Sequence, residues 1–139
     1  MQTYYKQAMI IDDDPVDRFI LRRNLKKANI ASEIIEASTG INALNILTHY
    51  SLNRQEPPEL IFLDINMPVL NGFEFLDTIE QLSKGFNNRC RIVITSASEN
   101  EVDRKKALSY KSVIGYLEKP VQEEALLELK EQVRLNHAS

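Results

Sequence analysis

The chain is poor in cysteine and histidine, has no excess of basic charge, and contains no apolar run long enough to cross a bilayer. Each shortage closes a class of explanation. One cysteine, Cys90, makes no internal disulfide, and its place ahead of Arg91-Ile92-Val93-Ile94 reads as a small packed residue near the start of a strand. No set of His and Cys at ligand spacing is present, which excludes a structural zinc site. His49 and His137 stand in polar surroundings near helix ends and read as exposed side chains. A net charge of −3 leaves no basic footprint for nucleic acid. The opening Met1-Gln2-Thr3-Tyr4-Tyr5-Lys6 lacks the apolar stretch of a signal peptide, and no segment reads as a membrane span. No repeat, low-complexity tract or linker divides the chain. The expectation is one cytoplasmic domain over residues 1–139, with 43% hydrophobic and 27% charged residues, as in ordinary globular proteins.

What the chain does have is a polar signal at the end of each of four apolar runs. Asp12-Asp13-Asp14 follows Met9-Ile10-Ile11, and Asp64 follows Leu60-Ile61-Phe62-Leu63. Thr95-Ser96 follows Ile92-Val93-Ile94, and Lys119-Pro120 follows Ile114-Gly115-Tyr116-Leu117-Glu118. The runs read as strands over 8–11, 60–63, 91–95 and 113–117, with a further strand over 33–37. Helices are expected between them. The first starts at Asp14-Pro15, a good N-cap followed by a residue suited to the first helical position, with Phe19, Ile20, Leu21 and Leu25 as its apolar face. The second follows Ser38-Thr39-Gly40 and carries Ile41, Ala43, Leu44, Ile46 and Leu47, after which 51–58 is a polar loop ending in Pro57-Pro58. Further helices are expected over 73–82, with Phe73, Phe75, Leu76 and Ile79 as core candidates, and over 100–110 and 121–135. The charged run from Glu99 to Lys106 reads as a solvated helix face.

Alternation of strand and helix argues an α/β fold, a parallel sheet covered on both faces. Right-handed crossovers bring the C-terminal ends of the strands to one edge, where open α/β sheets keep their sites. Asp12, Asp13, Asp64, Thr95 and Lys119 all fall there. Three carboxylates in one place repel unless a cation intervenes, and Mg2+ suits an all-oxygen set. A carboxylate can act as a nucleophile towards phosphorus, and a lysine and a hydroxyl supply positive charge and a donor to phosphate oxygens.

Ile11-Asp12-Asp13, Leu63-Asp64 with Met67-Pro68 and Asn71-Gly72, Ile94-Thr95 and Lys119-Pro120 together resemble the motif set of receiver domains in two-component response regulators. The likeness runs from about residue 6 to 134 and is to the stand-alone, CheY-like kind with no fused output domain. It implies a doubly wound, flavodoxin-like sheet of order 2-1-3-4-5. It also implies Asp64 as phosphoacceptor, and Mg2+ held by Asp13 directly, by Asp12 through water, by Asp64 and by the backbone carbonyl of Asn66. Thr95 would bond the phosphoryl group, Lys119 would pair with it ahead of a cis peptide to Pro120, and Tyr116 would be the switch aromatic that follows Thr95. Ser96 offers a second hydroxyl beside Thr95, and the side chains of Asn66 and Ala97 flank the site where relatives tune dephosphorylation. Glu118 reads as a surface residue.

The resulting expectation is a signalling switch, not an enzyme beyond its own aspartyl phosphorylation and dephosphorylation. A histidine kinase or phosphotransfer protein would charge it, and an unknown downstream protein would read it, with no direct contact to nucleic acid or membrane. A monomer or weak dimer fits that role. Two other readings stand beside it. A small aspartyl-phosphate phosphatase would share the nucleophile and cation but typically carries an aspartate where this chain has Asn66. A receiver-like binding module would work without phosphorylation.

Overall fold

The computed structural model describes residues 5–67, 70–86, 90–97 and 100–138. Pro68 and Glu99 lie outside the described residues, as does the side chain of His137. Five strands and five helices alternate as β1 (Tyr5–Ile11), α1 (Pro15–Lys27), β2 (Ala31–Ala37), α2 (Gly40–Leu52), β3 (Leu60–Asp64), α3 (Gly72–Phe86), β4 (Arg91–Ser96), α4 (Glu101–Leu108), β5 (Val113–Glu118) and α5 (Glu123–Ala138). The sheet is parallel throughout, in the order β2-β1-β3-β4-β5. The expected α/β architecture and strand order are both observed.

Period-two alternation in the central strands sends side chains to two separate cores. Met9, Ile11, Ile61, Leu63, Ile92 and Ile94 pack on one face with Leu47 of α2 and with Phe75, Leu76 and Ile79 of α3. Ala8, Ile10, Leu60, Phe62 and Val93 pack on the other with Leu21 and Leu25 of α1 and with Leu126 and Leu129 of α5. Every residue of β3 is buried, as a strand covered on both faces by helices requires. Cys90 is buried beside β4, its thiol donating to the Pro58 carbonyl at 3.4 Å, and burial pushes its pKa up to about 11. That is a packed residue, as expected.

The helix starts follow local chemistry. Asp14 caps α1 by accepting from the Val16 amide at 2.8 Å, and Pro15 occupies the first helical position. Thr39 caps α2 and Asn100 caps α4. At α3, Asn71 and Glu74 form a reciprocal capping box, with the Glu74 amide 3.0 Å from Asn71 Oδ1 and the Asn71 amide 3.1 Å from Glu74 Oε1. Helix α4 and the turn after it are tied to α3 by Lys106 over the Phe73 ring at 4.2 Å and by Tyr110, whose hydroxyl donates to Asp77 at 2.7 Å.

Several expected boundaries and two expected apolar positions are corrected. Strands β1 and β2 begin earlier than the apolar runs do, because polar residues of an edge or strand end still join the ladder: Tyr5 pairs with Ala31 and Gln7 with Glu33. Helix α2 continues through Ser51 and Leu52, against the expected loop, and α3 extends to Phe86. Helix α4 ends at Leu108, short of Tyr110, and α5 begins at Glu123 after a buried Val121. Phe19 is 66% exposed and Ile41 51% exposed. The buried stripe of α1 is Leu21 and Leu25, continued by Ala28, and Phe19 lies about 200° around the helix from Leu21.

The short connection from β3 to α3 depends on Gly72. A Cβ there would stand 2.7 Å from Ile65 Cα and 3.2 Å from the Asp64 carbonyl oxygen, both backbone atoms that cannot swing aside. The Gly72 amide also donates to the Ile65 carbonyl at 3.0 Å. Alanine in place of a helical glycine ordinarily stabilises, so the sign is diagnostic here. Gly72→Ala is expected to lower stability by about 2 kcal/mol, read from the urea unfolding midpoint. An equal or higher midpoint would contradict this packing.

Candidate functional site

The strand register builds the site. Ile11 is paired with Leu63, and Asp64 with Thr95, so the residues that follow β1, end β3 and end β4 stand side by side at the C-terminal edge. The Lys119 amide donates to the Ser96 carbonyl at 2.8 Å, which brings the chain after β5 to the same edge. The Lys119-Pro120 peptide is cis, as expected. Asp12, Asp64, Thr95 and Ser96 are the polar residues buried within the fold among those described. Asp13 is exposed at the rim, and so is Asn66.

Asp12, Asp13 and Asp64 each offer a carboxylate oxygen within 4.8 Å of the others. Lys119 reaches into this group, its Nζ lying 2.8 Å from Asp12 Oδ2 and 3.1 Å from Asp64 Oδ2. The remaining oxygens are also held. Asp12 Oδ1 accepts from the Asp14 amide at 2.9 Å, and Asp64 Oδ1 from the Asn66 amide at 3.0 Å. Both carboxylates are therefore fixed by an amide two residues on and by the same ammonium. One ammonium facing three clustered carboxylates leaves an excess of negative charge, and hard oxygen donors in that number suit a small divalent cation.

The electrostatics follow from burial. Desolvation pushes the Asp64 pKa up to about 6, with the Asp12 charge adding to the rise, while the Asn66 amide and Lys119 oppose it. Burial alone would lower the Lys119 pKa, but hydrogen bonds and charge from Asp12 and Asp64 outweigh it and hold the ammonium above its ordinary range. Lys119 thus stays charged, and because it is shared it compensates Asp64 only in part.

Each expected site residue is at the edge, and Tyr116 is close by. Tyr116 is the β5 partner of Ile94 and packs half-buried against the α2–α3 side of the sheet. Its hydroxyl is buried and has no hydrogen-bond partner among the described residues. Glu118 is exposed, as expected.

Two features are not apparent in the sequence. Arg18 donates to the Asp12 carbonyl at 2.7 Å and pairs with Glu36 at 3.1 Å, while Arg22 pairs with Glu36 at 2.8 Å, so α1 and β2 brace the acidic turn. Asp17 lies 3.2 Å from Lys119 Nζ as a third carboxylate on that ammonium. Arg18 and Arg22 read as solvating charges, and Asp17 stands three residues after the N-cap, where an acid is commonplace. Only tertiary proximity distinguishes them.

The raised Asp64 pKa has a stability consequence in chelated, metal-free buffer. The folded chain retains this proton up to about 6, whereas the unfolded chain loses it near the ordinary 3.8. The folded state binds more protons between these values, so the contribution is present at low pH and lost as pH rises through the window. Asp64→Asn carries no such charge. Its melting temperature is expected to gain on the wild type by on the order of 5 °C between about pH 4 and pH 7, measured by thermal denaturation. A constant or shrinking gap would contradict the assignment of the shift.

The chain matches the response regulator receiver domain over residues 8–131. It is 35% identical over 124 residues to the nitrate/nitrite response regulator protein NarL of Escherichia coli K12, a match covering 89% of this chain and 52% of that protein. It therefore spans about half the length of that relative. Protein PilH of Pseudomonas aeruginosa is 31% identical over 122 residues, covering 87% of this chain and 91% of PilH. The crystal structure of a two component response regulator from Cytophaga hutchinsonii superposes with a TM-score of 0.84 at 30% identity, over 95% of this chain and 98% of that one. Among the described residues, no helix is long and apolar enough to cross a membrane. Sequence and fold converge on one assignment, and the chain belongs to the receiver domains of two-component response regulators.

Proposed function

We propose that this receiver domain is a phosphorylation-activated signalling switch with Asp64 as its phosphoacceptor. The observation that carries the reading is the contact of Lys119 Nζ with Asp64 Oδ2 at 3.1 Å, inside a cluster of three carboxylates. An Asp64 oxygen attacks the phosphorus of a phosphohistidine on a kinase or phosphotransfer protein. An O–P bond forms, the N–P bond breaks, and the histidine nitrogen keeps the electron pair and takes up a proton. The product is an acyl phosphate on Asp64.

Asp13 and Asp64 would hold Mg2+ directly, Asp12 through water, and the Asn66 backbone carbonyl would complete the protein's share. The clustered oxygens fit that ion, which when bound offsets the carboxylate charge facing an anionic donor. The other groups belong to the chain itself. Lys119, kept charged by Asp12 and Asp64, meets a phosphoryl oxygen, and the buried Thr95 supplies a hydroxyl donor from the neighbouring strand end.

Readout runs through Thr95 and Tyr116. A buried hydroxyl without a partner costs about 1–3 kcal/mol, so the inward ring is held by packing against a polar penalty. That penalty favours movement of the ring once Thr95 is drawn towards a phosphoryl group. The face made by α4, β5 and Tyr116 then differs between the two states for a partner protein to read. The domain serves signalling in the cytoplasm.

Incubation with acetyl phosphate and Mg2+ is expected to add one phosphoryl group by intact mass, with no adduct on Asp64→Asn or in the presence of chelator. Absence of the adduct together with failure to form a beryllofluoride complex would overturn the switch reading in favour of a module that binds without phosphorylation.

A further inference from the structure

Three carboxylates surround the Lys119 ammonium. Asp12 lies at 2.8 Å, Asp64 at 3.1 Å and Asp17 at 3.2 Å. The first two belong to the acidic cluster at the strand ends, and Asp17 does not. It comes from the first turn of α1, 102 residues away in sequence, and lines the same narrow cleft as Asp12, Thr95 and Lys119. Its neighbour Arg18 is directed elsewhere, to Glu36 and the Asp12 carbonyl.

We propose that Asp17 is a positioning residue for Lys119, a competing partner that draws the ammonium towards α1 and weakens its hold on a phosphoryl group at Asp64. This inference rests on the phosphoacceptor reading of Asp64. An ammonium has three donors, so a phosphoryl oxygen at Lys119 competes with the carboxylates already on it. Mg2+ held by Asp13 and Asp64, with Asp12 behind a water, would offset the charge with which Asp12 and Asp64 hold the lysine. Asp17 stands outside that cluster and remains the competitor. The pair is neither fully screened nor fully buried, with the side chains 11% and 26% exposed for Lys119 and Asp17. Its contribution is therefore moderate, and the contact can exchange.

A purely local role for Asp17 is the alternative. An acid in the first turn complements the helix dipole, and its loss lowers stability without touching Lys119. The two roles separate in binding. Beryllium and fluoride with Mg2+ serve as the phosphoryl mimic, and affinity is measured by calorimetry on the full chain. Asp17→Asn is expected to bind about three- to tenfold more tightly than wild type. Asp17→Ser repeats the measurement on a second background, with thermal denaturation of each variant alongside. The Lys119 side-chain nitrogen resonance in the unliganded protein is expected to move in both variants. Unchanged affinity in both folded variants, with lower melting temperatures alone, would overturn the proposal. Wild-type protein that fails to bind the mimic would overturn the Asp64 reading instead. In that case an unmoved Lys119 resonance in the variants would still overturn the Asp17 contact separately.

Discussion

A single ammonium, that of Lys119, holds together carboxylates from three separate places in the fold. Asp12 follows β1, Asp64 ends β3 and Asp17 lies in α1, and all three are within 3.2 Å of Lys119 Nζ. Without that charge, Asp12 and Asp64 would be buried anions facing each other, an arrangement that costs more than any hydrogen bond at the site returns. Lys119 relieves part of this. Burial, with the Asp12 charge adding to it, still holds the Asp64 carboxyl up at about 6. The cluster carries more negative charge than Lys119 offsets, and added positive charge beside Asp12, Asp13 and Asp64 would relieve it.

The hydrophobic cores set where that charge is located. Central strands buried on both faces have no room for a charged side chain until the strand ends, so the first polar residues emerge together at one edge. Parallel pairing brings Asp64 against Thr95 and puts the residues after β1 and β5 within reach of both. Backbone amides then fix the carboxylates, with Asn66 on Asp64 and Asp14 on Asp12. The tight approach at Gly72 and the Asn71–Glu74 capping box hold the loop that follows Asp64. Parallel strands thereby bring Asp12, Asp64 and Thr95 to one edge, where backbone amides orient the two carboxylates.

Much of this arrangement is legible in the amino-acid sequence. The four apolar runs, each closed by a polar signal, suffice for the α/β class and for the edge that carries Asp12, Asp13, Asp64, Thr95 and Lys119. Asp14-Pro15 marks a helix start because capping is a local interaction. Where local information runs out, sequence and structure part in a consistent way. Phe19 reads as core because it is apolar, although helical geometry puts it opposite Leu21. The ends of β1, β2 and α2 lie beyond the apolar runs because polar residues extend the elements there. Asp17 and the Arg18–Glu36–Arg22 brace leave no sequence signal, because a charge on a helix surface looks the same whether it faces water or a lysine 102 residues away. Tyr116 can be placed on its strand, but nothing in its neighbours announces a buried hydroxyl without a partner among the described residues.

The most direct test of the phosphoacceptor assignment is to locate the modification chemically. Receiver protein charged with acetyl phosphate and Mg2+ would be treated with borohydride, which reduces an acyl phosphate to an alcohol, then digested and sequenced by mass spectrometry. Conversion of Asp64 to homoserine, with Asp12, Asp13 and Asp17 unchanged, is the predicted result. Homoserine at another of these aspartates with Asp64 intact would contradict the account.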